Sequence, residues 1–92
     1  MYKRQTLALP EQVTHAQAQA VVDGLLSVAQ TQPGPMVLNA SALQTFDTSA
    51  LAVIMACVRA AQSRGVELSV QGLPERARTL AQVYGVAELL KL

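Results

Sequence analysis

Apolar and polar positions change their period several times along the chain, and each change marks an element. Within Arg4 to Leu9, Leu7 and Leu9 stand two apart, as in a strand with one buried face. Pro10 ends that strand, because proline cannot donate to a ladder. Thr14 and Gln17 have the spacing of a capping box. A helix is therefore predicted from His15, with Ala18, Val21, Val22, Leu25 and Ala29 on one stripe. Gly24 weakens it by about 1 kcal/mol relative to alanine. The turn from Thr31 to Pro35, containing Pro33-Gly34-Pro35, stops it. Met36 to Ala40 is a short apolar run bounded by turn residues, the pattern of a strand buried on both faces. Ser41 to Thr45 reads as a connection with Leu43 pointing inward. A central helix follows from about Ser49 to Ser63, with Gly65 placed to cap it. Val66, Leu68 and Val70 then alternate with Glu67, Ser69 and Gln71, a half-buried strand closed by Gly72. Pro74 and Glu75 suit the first turn of a last helix. Its apolar stripe is Ala77, Leu80, Ala81 and Tyr84, and Gly85 ends it. Val86, Leu89 and Leu90 form an apolar tail predicted to fold back on the core.

Strand and helix alternate three times, which predicts an α/β fold. Its sheet is small and mainly parallel, roughly three or four strands, with right-handed crossovers and helices packed on it. The 92 residues suit one domain over residues 1–92. Hydrophobic residues make up 51% and charged ones 14%, so the chain folds around a core instead of remaining disordered. The formal net charge of +1, scattered over the chain, offers no field for nucleic acid. The three aromatic residues, Tyr2, Phe46 and Tyr84, give no stacking platform for bases. A lone cysteine, Cys57, excludes an internal disulfide framework and agrees with a reducing compartment. No h-region follows Met1-Tyr2-Lys3-Arg4, and no run of about 18 apolar residues exists. The expectation is a soluble, cytoplasmic protein without direct membrane insertion, free to attach to something in a membrane.

The stretch from Phe46 to Leu51 is the centre of this pattern. It presents Asp47, Thr48 and Ser49 where the central helix begins, and the nine residues Ala50 to Val58 that follow are uncharged. Two stripes run along that helix: Leu51, Ile54, Met55, Val58 and Gln62 on one, and Val53, Ala56, Cys57 and Ala60 on another. One stripe suffices to pack a helix on a sheet. The second is either covered by the first helix or left open as a docking patch. The turn itself has two readings. Asp47 or Thr48 caps the helix, worth about 1 kcal/mol, or Thr48 or Ser49 accepts a phosphate, which the free N–H groups would stabilise and Asp47 would repel.

The stretch Leu38 to Val53, with its Asp47-Thr48-Ser49-Ala50-Leu51 turn, resembles the signature of the STAS domain. In that family a buried strand leads through a short acid-and-hydroxyl turn into a helix. The stretches Gly65 to Pro74 and Thr79 to Val86 resemble the rest of that domain, in its MlaB type, the STAS subunit of a bacterial phospholipid-trafficking ABC transporter. The likeness runs from about Leu7 to Leu90. It implies a non-catalytic role in protein contact: binding and supporting the cytoplasmic ATPase subunit of the transporter. It implies that Thr48 lies in the contact with the ATPase; together with the rest of the turn and the second stripe of the helix, the expected contact comprises Asp47, Thr48, Ser49, Ala50, Val53 and Cys57. In anti-sigma-factor antagonists of the same family the phosphorylated serine falls on Ser49. The resemblance therefore also implies an alternative, a switch set by an anti-sigma-factor kinase. Three positions depart from the family pattern. Asn39 replaces an aspartate, Ala50 replaces a glycine, and Pro10 stands where a first hairpin has glycine, so the second strand is expected to be short or missing.

Other residues carry less. His15 is the sole histidine and has no companion ligands, so neither a metal nor a cofactor is expected. Cys57 lies in an apolar helix and reads as packing. No phosphate-cradling G-x-x-x-x-G-K-[ST] loop is present, so the chain is not expected to hydrolyse nucleotide. No carboxylate pair or nucleophile–base pair stands at a useful spacing, which argues against an enzyme. Glu75, Arg76 and Arg78 form either a solvated helix start or a surface that steers an acidic partner.

Overall fold

The computed structural model describes residues 5–32 and 34–90. Arg4, at the start of the predicted first strand, and Pro33, in the predicted turn, lie outside them. The elements in order are β1 (Gln5–Ala8), β2 (Gln12–Val13), α1 (His15–Ala29), β3 (Met36–Asn39), β4 (Thr45–Phe46), α2 (Thr48–Ser63), β5 (Leu68–Gln71) and α3 (Glu75–Val83). β1, β3 and β5 form a parallel sheet with β3 in the middle. The crossovers β1–α1–β3 and β3–α2–β5 step the same way across it, so both helices lie on one face and pack together. The α/β class with a mainly parallel sheet is as the sequence predicts.

Register explains which strand residues are buried. Leu7, Leu38 and Val70 are aligned across the three strands, as are Met36 and Leu68, and all five belong to or pack against the core. The alternate positions Thr6, Ala8 and Gln71 are exposed. β3 is buried at Met36, Val37 and Leu38, as expected of a central strand. Beyond β1 the ladder continues for one bond, Leu9 N–H to the Asn39 carbonyl at 2.9 Å. Pro10 then ends it.

The second strand is short: β2 has two residues, and it pairs in parallel with β4. β4 itself was not legible, because Thr45 and Phe46 carry no alternation long enough to read; Thr45 ends the predicted connection and Phe46 opens the turn before the central helix. Leu43 in that connection is buried, as predicted. The apolar tail divides: Leu90 is buried and Leu89 is exposed. Tyr84, placed by period on the stripe of the last helix, is 60% exposed. It follows α3 as its C-cap, where the chain turns into Gly85 at φ +72° and helical period no longer fixes the side chain's direction.

Helix ends are built as the sequence indicates. Gln17 Oε1 accepts from the Thr14 backbone N–H at 2.9 Å and from its hydroxyl at 2.6 Å, closing the start of α1. Gly65 follows the end of α2 at φ +69°, a conformation glycine adopts without steric cost.

Candidate functional site

The first turn of α2 is held by one carboxylate. Asp47 is its N-cap, and Oδ1 accepts from the Ser49 N–H at 2.8 Å. The other oxygen, Oδ2, accepts from the His15 N–H at 3.0 Å. His15 is the first residue of α1, so one side chain closes the N-termini of two helices. Ser49's N–H, then His15's, hold the carboxyl of Asp47 below its ordinary range. At the opposite end, Arg64 Nη1 donates to the Ala29 carbonyl and Nη2 to the Gln32 carbonyl at 2.8 Å. A cation on the last carbonyl of α1, and on that of Gln32 just beyond the helix, satisfies groups the helix end leaves unpaired. α1 is therefore tied to the α2 segment at both ends.

That placement decides the second stripe of α2. Val53 and Cys57 are 2% and 0% exposed, and Ala50 is 1% exposed. The expected contact surface is corrected here: all three belong to the core, and of them only Val53 reaches a surface cleft, with 2% of its area. Burial also pushes the Cys57 thiol up to about 11, so it is protonated and unreactive at neutral pH. Asp47 and Thr48 are exposed and Ser49 is half-buried.

A third line of α2 faces outward. Thr48, Ala52, Met55 and Arg59 recur at helical spacing; Met55 is half-buried and the other three are exposed. Two shallow clefts flank it. One, of about 210 Å³, lies toward α1, between Ala18, Gln19 and Val22 on one side and Ser49, Ala52 and the edge of Val53 on the other. The other, of about 250 Å³, is bounded by Thr48, Ala52 and Met55 on one side and by Tyr84 and Val86 on the other. Ala52, shared by both, is a low ridge between two hollows. Next along both walls is a cleft of about 500 Å³, lined by Phe46, Arg76, Leu80 and Val83 among others. The Arg76 guanidinium lies 5.5 Å from the centre of the Phe46 ring, a cation–π contact, and Val83 is 74% exposed.

Ala52, Met55, Tyr84 and Val86 are the residues that sequence reasoning missed as surface. A signal for Ala52 was available: an uncharged residue on neither stripe, one turn after Thr48. Nothing local announced Tyr84, because its neighbours across the cleft come from another helix.

The departures from the family pattern have local explanations. Asn39 Oδ1 accepts from the Ser41 N–H at 3.0 Å, a bond that needs an acceptor and no charge. Ala50 sits within α2, where right-handed helical dihedrals suffice and glycine is not required. Among the described residues no group of three or more His, Cys, Asp or Glu could hold a metal, and no helix is long and apolar enough to cross a membrane.

A family model described as "Mlab, STAS domain" matches residues 2–91. Among curated proteins none matches the chain. Similar solved structures include these two. A sulfate transporter family protein from Wolinella succinogenes is 17% identical, with a TM-score of 0.74, covering 94% of this chain and 70% of that one. The STAS domain of a SulP transporter from Vibrio cholerae is 15% identical, with a TM-score of 0.64, covering 98% of this chain and 71% of that one. These likenesses concern the fold, a parallel sheet with its helices, and the family match covers both the Asp47 turn and the helix that follows it. The chain belongs to the STAS domain family, in its MlaB-like type.

Proposed function

We propose that this protein is a non-catalytic accessory subunit that binds and supports the cytoplasmic ATPase of a lipid-trafficking ABC transporter. The observation that carries the docking surface is the outward line of α2. Thr48 and Ala52 are exposed on it, uncharged, and flanked by two hollows, one of which is bounded by a 60% exposed tyrosine, Tyr84. Aromatic anchors beside small residues suit the centre of a protein contact. The MlaB-like description of the family supports the choice of partner. The chain would act by binding one conformation of the ATPase better than another, which shifts that equilibrium without chemistry of its own.

The test is co-purification of the tagged chain with a transporter ATPase, repeated with Thr48→Arg. Complex is expected with the native chain and lost with the variant. Unchanged yield with Thr48→Arg would remove this face from the contact.

The kinase-switch alternative has less support. A phosphate on Ser49 would stand two residues from a carboxylate that already accepts the Ser49 N–H. Intact-mass measurement after incubation with ATP and a candidate kinase separates the two readings: a gain of one phosphate on this turn would favour the switch.

A further inference from the structure

We infer that Asp47 serves the docking face as a positioning residue: it ties the start of α2 to the start of α1, and does not itself meet the partner. The inference rests on the docking face proposed above and changes the part played by its acid.

An N-cap needs one acceptor. Asp47 supplies two, and the second reaches 32 positions back along the chain to His15. Oδ1 and Oδ2 each hold one backbone N–H, at 2.8 and 3.0 Å. Both oxygens are thus engaged within the fold before any partner arrives. The tie joins the two helix starts just ahead of the cleft lined by Ala18 and Val22 of α1 and by Ser49 and Ala52 of α2. It therefore fixes the separation of the two walls at the end where Thr48 is displayed. At the far end Arg64 holds α1 through the Ala29 and Gln32 carbonyls. Among the described residues, the charged form of the His15 side chain also lowers the Asp47 carboxyl, after the two backbone N–H groups.

Asp47→Asn and Asp47→Ser separate the tie from the cap. Asparagine and serine cap helices about as well as aspartate, so the bond to Ser49 survives. Each offers a single acceptor oxygen there, and the asparagine amide turns donors toward the His15 N–H. Two readouts are needed. In the native chain the backbone amide signals of His15 and Ser49 should move together in an acid titration, with one midpoint. In both variants the His15 signal should move upfield and exchange about tenfold faster, as expected on losing a bond to a charged acceptor, while Ser49 is little changed. Affinity for the transporter ATPase should fall about tenfold in both variants.

Unchanged His15 exchange in Asp47→Asn would overturn the tie. Weakened binding with an unchanged His15 amide would make Asp47 a direct contact instead. A lost tie with native affinity would refute its service to docking. Failure of the docking face itself is distinguishable, since Thr48→Arg would then leave binding intact while the amide titration still reports the tie.

Discussion

Two adjacent residues on α2 ought to behave in opposite ways. Val53 is 2% exposed and Ala52 is exposed, although they are one position apart. Val53→Ala removes two methyl groups from the core. At about 0.8 kcal/mol for each carbon, with a further cost for the cavity left under α1, the loss is about 2–3 kcal/mol. For a domain of this size each kcal/mol shifts Tm by about 4–8 °C, so Tm should drop by about 10–20 °C. Val53 shows only a 2% edge to the hollow toward α1, so the folded variant, which keeps Thr48 and Ala52 on the outward line, should bind the ATPase within about twofold of the native chain. Ala52→Arg should leave stability within about 0.5 kcal/mol, as at other exposed positions. It places a long cation on the ridge between the two hollows. An unpaired charge in a desolvated contact costs several kcal/mol, so binding should weaken by about 100-fold or more. Thermal unfolding followed by circular dichroism and binding by calorimetry read both quantities. If Val53→Ala left Tm unmoved and weakened binding, α1 would not cover this stripe and the buried surface would be the contact after all.

Four further outcomes follow from local geometry. Gly24→Ala should stabilise by about 0.5–1 kcal/mol, because nothing lies within 4 Å of the added carbon. Gly72→Ala should destabilise by about 2 kcal/mol or more, since its φ is +71° and the new carbon would lie 2.9 Å from Ser41 Cβ; urea unfolding ranks the two. Cys57 should resist a thiol reagent in the native state and react once the chain is unfolded. Its thiol is raised from 9.0 to about 11 in the fold, so the native state holds the proton more tightly. The stability this represents is complete below pH 9.0 and fades as pH rises toward about 11; Cys57→Ala should lose that alkaline slope. Asp47 has the opposite sign. Its carboxyl is lowered from 3.8, so its contribution is present above that pH and is lost as pH falls through the lower folded value. Asp47→Asn should flatten the acid limb of a Tm-against-pH curve.

What the sequence determined by itself is whatever depends on neighbours within a few positions. The alternation at Leu68 and Val70, the Thr14–Gln17 cap and the glycine after α2 are local, and each appears where the spacing places it. The α/β order follows from them, because alternating strands and helices leave few ways to close a parallel sheet. The Asp47 turn was equally legible as the start of a helix. Tertiary structure decided which side of that helix is left to others. Two apolar stripes are compatible with one covered or both, and only the docking of α1, fixed by bonds from Asp47 and Arg64 to distant backbone, buried Val53 and Cys57. The same long-range packing set Tyr84 across from Ala52 and Met55. Periodicity records that a residue is apolar and how often that recurs. Which neighbour covers it depends on contacts between residues far apart in the chain, where spacing carries no information.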